Sequence, residues 1–367
     1  MQALILVGGE GTRLRPLTSQ VPKPVVALAG RPFMSYMLEW LHRHGVDNAI
    51  LSCGFLPDGV RTVLGDGLEW GVRLTYVEEP SPLGTGGALK YAEDLLDDRF
   101  FMLNGDVLTD MDLTAQLAQH ERTGARATLA LIGVDDPSAY GLVRRRPDLS
   151  VRQFVEKPNA EEIDTHLINA GAYILERSVL EGMAPKGTRT SIERDLFPRL
   201  VDDGLYGYEA SGYWMDIGTP QRYLQATWDI LESEVHTGVG EEVERARGVI
   251  CPDEHPTGSV HGPAVIGPGC TIAESATVTG RTVLGAGVTI GPNAHVDSSV
   301  LLDGASVGEH SRVTRSIVGP RVRIAERCRL DETSMVGADV RLGANNTLTA
   351  GVRIFPGVQL PDDAIRF

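Results

Sequence analysis

Cysteine is scarce in this chain: four in 367 residues, at Cys53, Cys251, Cys270 and Cys328, with no CxxC pair among them. That spacing excludes a disulfide-framed secreted domain and a zinc ribbon, and reads as reduced thiols in a cytoplasmic protein. No apolar run approaches the roughly 20 residues needed to cross a bilayer. The opening MQALILVGG has neither a basic leader nor a cleavage site, so it reads as a strand and not a signal peptide. Basic residues are in deficit, 34 Lys+Arg against 49 Asp+Glu, for a formal net charge of -15. Such a balance argues against a general nucleic-acid or anionic-membrane surface, so any polyanion must be met locally. Two glycine motifs are also missing. Gly9-Glu10-Gly11 begins like GxGxxG, but Leu14 stands at the third glycine position, and no Gly-Lys-Ser/Thr follows to make a P-loop.

What is there falls into two grammars. Up to about residue 230, buried strands alternate with amphipathic helices. Ala3 to Val7 is a continuous apolar run of the kind found in a parallel sheet covered on both faces. Further strands are expected at Ala49–Ser52, Leu74–Val77, Phe100–Leu103, Ala127–Ile132 and Ala170–Leu175. Phe33, Met34, Met37, Leu38 and Leu41 recur at helical spacing before Gly45. Thr190, Ser191 and Glu193 form a capping-box pattern for a helix through Leu200, and Thr219-Pro220 opens another to about Leu231. The alternation implies an α/β layered domain over residues 1–232, with ligands at the carboxyl ends of its strands. The polar stretch 233–250 reads as a linker.

From 251 to 367 the aliphatics fall every six residues. They run from Ile266, Ile272, Val278, Leu284, Ile290 and Val296 to Leu302, slip one place to Val307 and Val313, and slip again to Val318, Ile324, Leu330, Val336, Leu342, Leu348, Ile354 and Leu360. A period of six with one inward aliphatic per repeat is that of a parallel β-helix.

Chemistry gathers at the loops. Gly8, Gly9 and Gly11 let backbone N–H groups approach an anion, and Arg13, Arg15 and Lys23 follow, which suits a triphosphate. Asp106 follows the apolar run FFMLNG, and Asp216 lies in YWMDIGTP just before a helix start. A pair of aspartates at the mouth of a sheet suits magnesium, which binds few carboxylates and bridges substrate phosphates. Taken singly, each is more often a cap or turn residue than a metal ligand. FVEKPN adds Glu156 and Lys157, and LINAGAY adds Asn169 and Gly171.

The ordered set GGEGTRLRPLT…PKP, EEPSPLGTGGALK, LNGDV, EKP, INAG, SIERDLFPRL and YWMDIGTP, followed by hexapeptide repeats, resembles the sugar-1-phosphate nucleotidylyltransferases over essentially the whole chain. Within that family it resembles the guanylyltransferases of mannose 1-phosphate. The resemblance implies a Rossmann-like mixed sheet and a C-terminal left-handed parallel β-helix. It implies that Gly8, Gly9, Gly11, Thr12, Arg13, Lys23 and Gly84 hold the nucleotide, and that Asp106 and Asp216 hold Mg2+. Asn104, Gly141, Glu156 and Asn169 would contact the sugar, with Lys157 on its phosphate. The expected partners are GTP and a sugar 1-phosphate, with no nucleic acid and no membrane, in a homo-oligomer formed through the β-helix.

A phosphate monoester has its second pKa at about 6, so the sugar phosphate is already a nucleophile near neutral pH and needs no Ser, Cys or His. Catalysis then reduces to positioning and charge neutralisation. Guanine offers two adjacent donors to one carboxylate, which favours Glu79, or its neighbour Glu78, ahead of the Gly84–Gly87 loop as the base reader. Glucose-1-phosphate thymidylyl or uridylyl transfer, heptose-1-phosphate guanylyl transfer and a non-catalytic nucleotide-sugar-binding paralogue remain as alternatives. His261, His295 and His310 leave open an acetyl-transferring β-helix, although the repeats lack the insertion such an activity needs. A structural and oligomerising role is the reading preferred here, under which deleting 250–367 changes assembly and stability more than turnover.

Overall fold

The structure is a computed structural model that describes residues 1–253 and 257–366. Its chain gathers into two compact units, Met1–Glu10 with Met34–Trp214, and Gly11–Phe33 with Met215–Phe367.

The first unit is built on one mixed sheet. Its strands are β1 (Gln2–Leu6), β2 (Asn48–Cys53), β3 (Arg73–Glu78), β4 (Arg99–Asn104), β5 (Ala127–Gly133), β6 (Gly141–Arg145), β7 (Val151–Glu156), β8 (Leu167–Glu176) and β9 (Leu205–Glu209). They run in the order β7-β6-β8-β4-β1-β2-β3, with β5 on β8 and β9 on β5. The apolar run of β1 lies at the centre, parallel to β2 and β4, where Ile5 stands level with Leu51 and Leu103. Two-sided burial is why that strand reads as unbroken aliphatic and not as alternation. Helix α1 (Phe33–Arg43) buries Met34, Leu38 and Leu41, and the chain leaves it through Gly45 in the left-handed conformation.

Two expectations fail locally here. The Gly84–Gly87 stretch is not a loop but the first turn of helix α2 (Gly84–Tyr91). Glycine is a poor helix former, and packing overrides it: a β-carbon on Gly84 or Gly87 would lie 2.5 Å from a carbonyl oxygen of Thr190 or Thr188. The helix expected from Ser191 begins as a wide π-type turn, Ile192–Leu196, and becomes α-helical only over Phe197–Leu200. Ser191 caps it by accepting from the Arg194 N–H at 3.3 Å, but Glu193 does not close the box. Its carboxylate instead accepts from the hydroxyls of Thr85 (2.7 Å) and Ser191 (2.5 Å), and the Ser191 N–H donates to Asp195.

The second unit carries the β-helix. Short parallel strands stack in three sheets, with successive rungs 18 or 17 residues apart, as in Val265↔Val283 and Val283↔Val300. Two shortened coils account for the slips in the repeat, and they correct the inward residue of one of them. Leu301, fully buried and level with Leu284, faces the core, whereas the expected Leu302 stands at the corner beyond and is half-exposed. The slip falls between Val296 and Leu301, so that the 307 position follows at the normal interval.

The outward residues differ by face. Two faces are polar: Thr271, Thr289, Ser306, Arg323 and Arg341 on one, and Thr277, His295, Arg312 and Arg329 on another. The third presents the ladder Val265, Val283, Val300, Ile317, Met335 and then Arg353. Val283, Val300, Ile317 and Met335 are buried although they point away from the coil interior. Residues 11–33 and 215–250 belong to the same unit, and Val265 Cγ1 lies 3.6 Å from the β-carbon position of Gly30. Thr219 caps helix α3 (Pro220–Leu231) by accepting from the Arg222 N–H, as expected from Thr219-Pro220. Trp228 of α3 donates to the Ser298 carbonyl at 3.2 Å, and the Arg281 guanidinium lies 4.5 Å from the centre of its ring. The stretch expected as a linker contains a helix, Gly238–Arg245, capped by Thr237. Its core face is Val239 and Val243 alone, too few residues to show a period in sequence. No helix among the described residues is long and apolar enough to cross a membrane.

Candidate active site

In the first unit the carboxyl ends of β1 to β4 converge. The N–H of Val7 donates to the Ser52 carbonyl, that of Glu79 to Cys53, and that of Gly105 to Leu6, each at 2.9 Å. Gly8 fits between Gly54 and Glu79: a β-carbon there would stand 3.2 Å from Glu79 Oε1 and 3.7 Å from the Gly54 nitrogen. Gly9 has nothing within 4 Å of its β-carbon position. The two candidate base readers separate at once. Glu78 faces outward and pairs with Arg61 at 2.8 Å, half-exposed. Glu79 is fixed at the strand end, with Oε1 accepting from Ser52 Oγ and Oε2 from the Leu83 N–H, both at 3.0 Å. The second of these bonds closes the Ser81-Pro82 turn and leads into α2 at Gly84. Cys53, at the end of β2, is buried and its thiol is pushed up to about 12 by desolvation, so it stays protonated and is no nucleophile.

Beside this lies a second group from β4, β6, β7 and β8. Because β8 is antiparallel to β4, its early residues meet the end of β4, with Ala172 level with Leu103. Gly171, in the left-handed conformation, has Asn104 Nδ2 2.7 Å from its β-carbon position. Asn169 Nδ2 donates to the Tyr173 hydroxyl at 2.8 Å, and its Oδ1 accepts from the Gly171 N–H at 3.1 Å. A β-carbon on Gly141 would stand 2.9 Å from Glu156 Oε2. Burial raises the Glu156 carboxyl above its ordinary range and the Glu193 carboxylate adds to this, while Lys157 and Arg194 oppose it. Lys157 follows with φ +53°, a strained conformation for a lysine, and its N–H is held by the Tyr140 carbonyl at 3.2 Å. Trp214 walls this side, donating from Nε1 to Ala170 O at 2.8 Å and meeting the Tyr140 ring edge-on at 5.4 Å. Thus Asn104, Gly141, Glu156, Lys157 and Asn169 gather in one region of the first unit. Asp106, half-buried, follows Gly105 in the loop after β4.

The second unit holds Gly11, Thr12, Arg13, Lys23 and Asp216. Gly11 takes the left-handed conformation and starts a tight 3₁₀ turn, Thr12–Leu14; Thr18 Oγ1 donates to its carbonyl at 2.7 Å. Lys23 is buried, and its Cβ lies 3.2 Å from the β-carbon position of Gly11. Arg13 Nη2 and Asp216 Oδ2 lie 2.7 and 2.9 Å from the β-carbon position of Gly218. Arg222, one turn into α3, forms an ion pair with Asp216. The motif reading gave no place at the site to Ser52, Gly54, Thr85, Gly218 and Arg222, and took Glu193 as a capping residue alone. Gly218 was within reach, standing in the quoted DIGT two residues after Asp216, whereas Ser52 and Gly54 belong to no motif.

Comparisons with known proteins give the family. The nucleotidyl transferase family profile matches residues 2–233, and that of the GMPPB C-terminal domain matches 260–365. A mannose-1-phosphate guanylyltransferase of Mycobacterium tuberculosis is 37% identical over 373 residues, spanning 100% of this chain and 98% of its own. A mannose-1-phosphate guanyltransferase of Debaryomyces hansenii is 38% identical across 97% of this chain and 96% of its own. Among solved structures, HddC from Yersinia pseudotuberculosis is 30% identical with a TM-score of 0.54, covering 61% of this chain and 97% of its own. A complex of that protein with GMP-PN is similar to the same extent of chain, with a TM-score of 0.53. The chain belongs to the nucleotidyl transferase family of enzymes, with mannose-1-phosphate guanylyltransferases as relatives over its full length.

Proposed function

We propose that the protein transfers a guanylyl group from GTP to mannose 1-phosphate, giving GDP-mannose and pyrophosphate. The observation that carries the choice of base is Glu79, a carboxylate fixed at a strand end by Ser52 and the Leu83 N–H, beside Gly8. Each of its oxygens keeps a lone pair, and guanine offers N1–H and its 2-amino group side by side. Uracil and thymine present carbonyls next to their single N–H, which a carboxylate repels.

In this reading the sugar phosphate oxygen attacks the α-phosphorus in line, and pyrophosphate leaves. Backbone N–H groups of Gly8, Gly9, Gly11 and Thr12 receive the triphosphate together with Gly84, and Arg13 and Lys23 neutralise it. Asn104, Gly141, Glu156 and Asn169 hold the sugar, and Lys157 its phosphate. No step asks a side chain to take a proton. The carboxylates of Asp106 and Asp216 are hard oxygen donors that would fit magnesium, and the guanidinium of Arg13 beside Asp216 suits a phosphate oxygen. Those two residues would hold the ion, which when bound neutralises phosphate charge. The β-helix is assigned to homo-oligomer formation, and the protein to the cytoplasm, in keeping with four free thiols. A matrix of GTP, dTTP, UTP and ATP against mannose, glucose and heptose 1-phosphates, scored by pyrophosphate release, tests the reading. Preference for any pair other than GTP with mannose 1-phosphate would overturn it.

A further inference from the structure

The tight turn that carries Arg13 has a defect written in its sequence. The carbonyls at the end of a short helix need partners from outside it. Arg13's carbonyl would close a 3₁₀ bond onto the residue three places on, but that residue is Pro16, which has no N–H. The missing donor comes from the far end of the chain. Arg353 Nη1 donates to the carbonyl of Arg13 at 2.9 Å and to that of Arg15 at 3.0 Å. An arginine at a helix C-terminus that bonds the last carbonyls is a side-chain cap.

Arg353 also breaks the pattern of its own domain. It ends the outward ladder Val265, Val283, Val300, Ile317, Met335 on the one apolar face of the β-helix, replacing an aliphatic with a guanidinium at the rung where the signature turn lies. Its stem continues the stack while its head reaches the turn. Loop and rung belong to the same compact unit.

We propose that Arg353 is a positioning residue for nucleotidyl transfer, through which the last coil of the β-helix fixes the backbone of the Arg13 turn and so aims Arg13 at the triphosphate. The β-helix is then a part of the nucleotide site's scaffold as well as a candidate for assembly, and turnover depends on it more than its sequence suggests. The inference rests on reading Arg13 as a phosphate-binding residue.

Full-length Arg353→Ala, Arg353→Lys and Arg341→Ala are compared with the unmodified protein by steady-state kinetics in both substrates and by thermal melting. Arg341→Ala removes an outward arginine from another face. Misplacing a reacting group by about 1 Å can lower rates up to about 100-fold. Arg353→Ala is expected to raise KM for GTP and lower kcat, with kcat/KM for GTP down about tenfold or more, while KM for the sugar phosphate holds within about twofold. Arg353→Lys, which can still donate to both carbonyls, recovers most of the loss, and Arg341→Ala matches the unmodified protein. Unchanged kcat/KM for GTP in Arg353→Ala, or equal losses for both substrates that track a lowered melting midpoint, would overturn the inference. Arg13→Ala separates the two levels. If it retains activity, the reading beneath the inference fails; if it is inactive while Arg353→Ala is normal, only the inference fails.

Discussion

Arg13 and Asp216 face each other across Gly218, with the guanidinium Nη2 and the carboxylate Oδ2 2.7 and 2.9 Å from the point where a β-carbon would stand. A guanidinium and a carboxylate 203 positions apart in the sequence are held side by side about one missing methyl group. Either side chain must move if that methyl is supplied.

Gly218→Ala therefore pushes Arg13 and Asp216 apart without opening the core. Turnover is expected to fall about tenfold or more, with the melting midpoint within about 2 °C of the unmodified protein. Initial-rate kinetics alongside calorimetry check this, and full activity would show that the two groups are not used together.

Glu79→Gln keeps the shape of the proposed base reader and replaces one acceptor oxygen with an NH2 donor. Discrimination for GTP over UTP should fall by about 100-fold or more, since a site built on paired hydrogen bonds rejects analogues by factors of about 10⁴. Ser52→Ala, which frees Oε1 without removing the carboxylate, should give a smaller loss in the same direction. Competition between the two triphosphates measures both, and an intact GTP preference in Glu79→Gln would remove Glu79 from base recognition.

Chelation should abolish turnover and added magnesium restore it. Asp216→Asn and Asp106→Asn should each raise the magnesium concentration needed for half-maximal rate. Titration of rate against metal gives the result directly; a magnesium dependence unchanged in both variants contradicts their assignment as ligands.

Glu156 carries its own pH signature. Burial raises its carboxyl in the fold, so the ionised form that prevails at neutral pH is disfavoured there. Folding stability contributed by this group is fully present below the ordinary carboxylate range and is lost as pH rises through the raised value. Glu156→Gln should thus melt about 1 °C or more above the unmodified protein at pH 7 while losing activity. The gap should close as pH falls through the carboxylate range. A lower melting point at pH 7 would mean that the ionised carboxylate is satisfied in the free protein.

The corrected β-helix register is tested by a pair of neighbours. Leu301→Ala empties a core position and should destabilise by about 2–5 kcal/mol. Leu302→Ala, at the half-exposed corner, should cost about 1 kcal/mol or less. Denaturant unfolding compares the two, and the reverse order would restore the uninterrupted six-residue phase to Leu302.

The residue pattern alone determined what is periodic or composed locally. The aliphatic run of β1, the Thr219-Pro220 helix start and the period of six are signals that each element carries within itself, because burial of one face repeats at a fixed interval. The glycines and cations of the first loop likewise are legible by composition, and the proposed anion site rests on them. Tertiary structure decided the rest. It turned Glu79 toward Gly8 and Glu78 toward Arg61. It forced three glycines into a helix because the Thr188–Thr190 backbone presses on them. It moved the core residue from Leu302 to Leu301 by shortening two coils. It also set Arg353 on the carbonyls of Arg13 and Arg15, up to 340 residues away. Contacts between distant positions impose no period and no local composition, so only the folded chain reveals them.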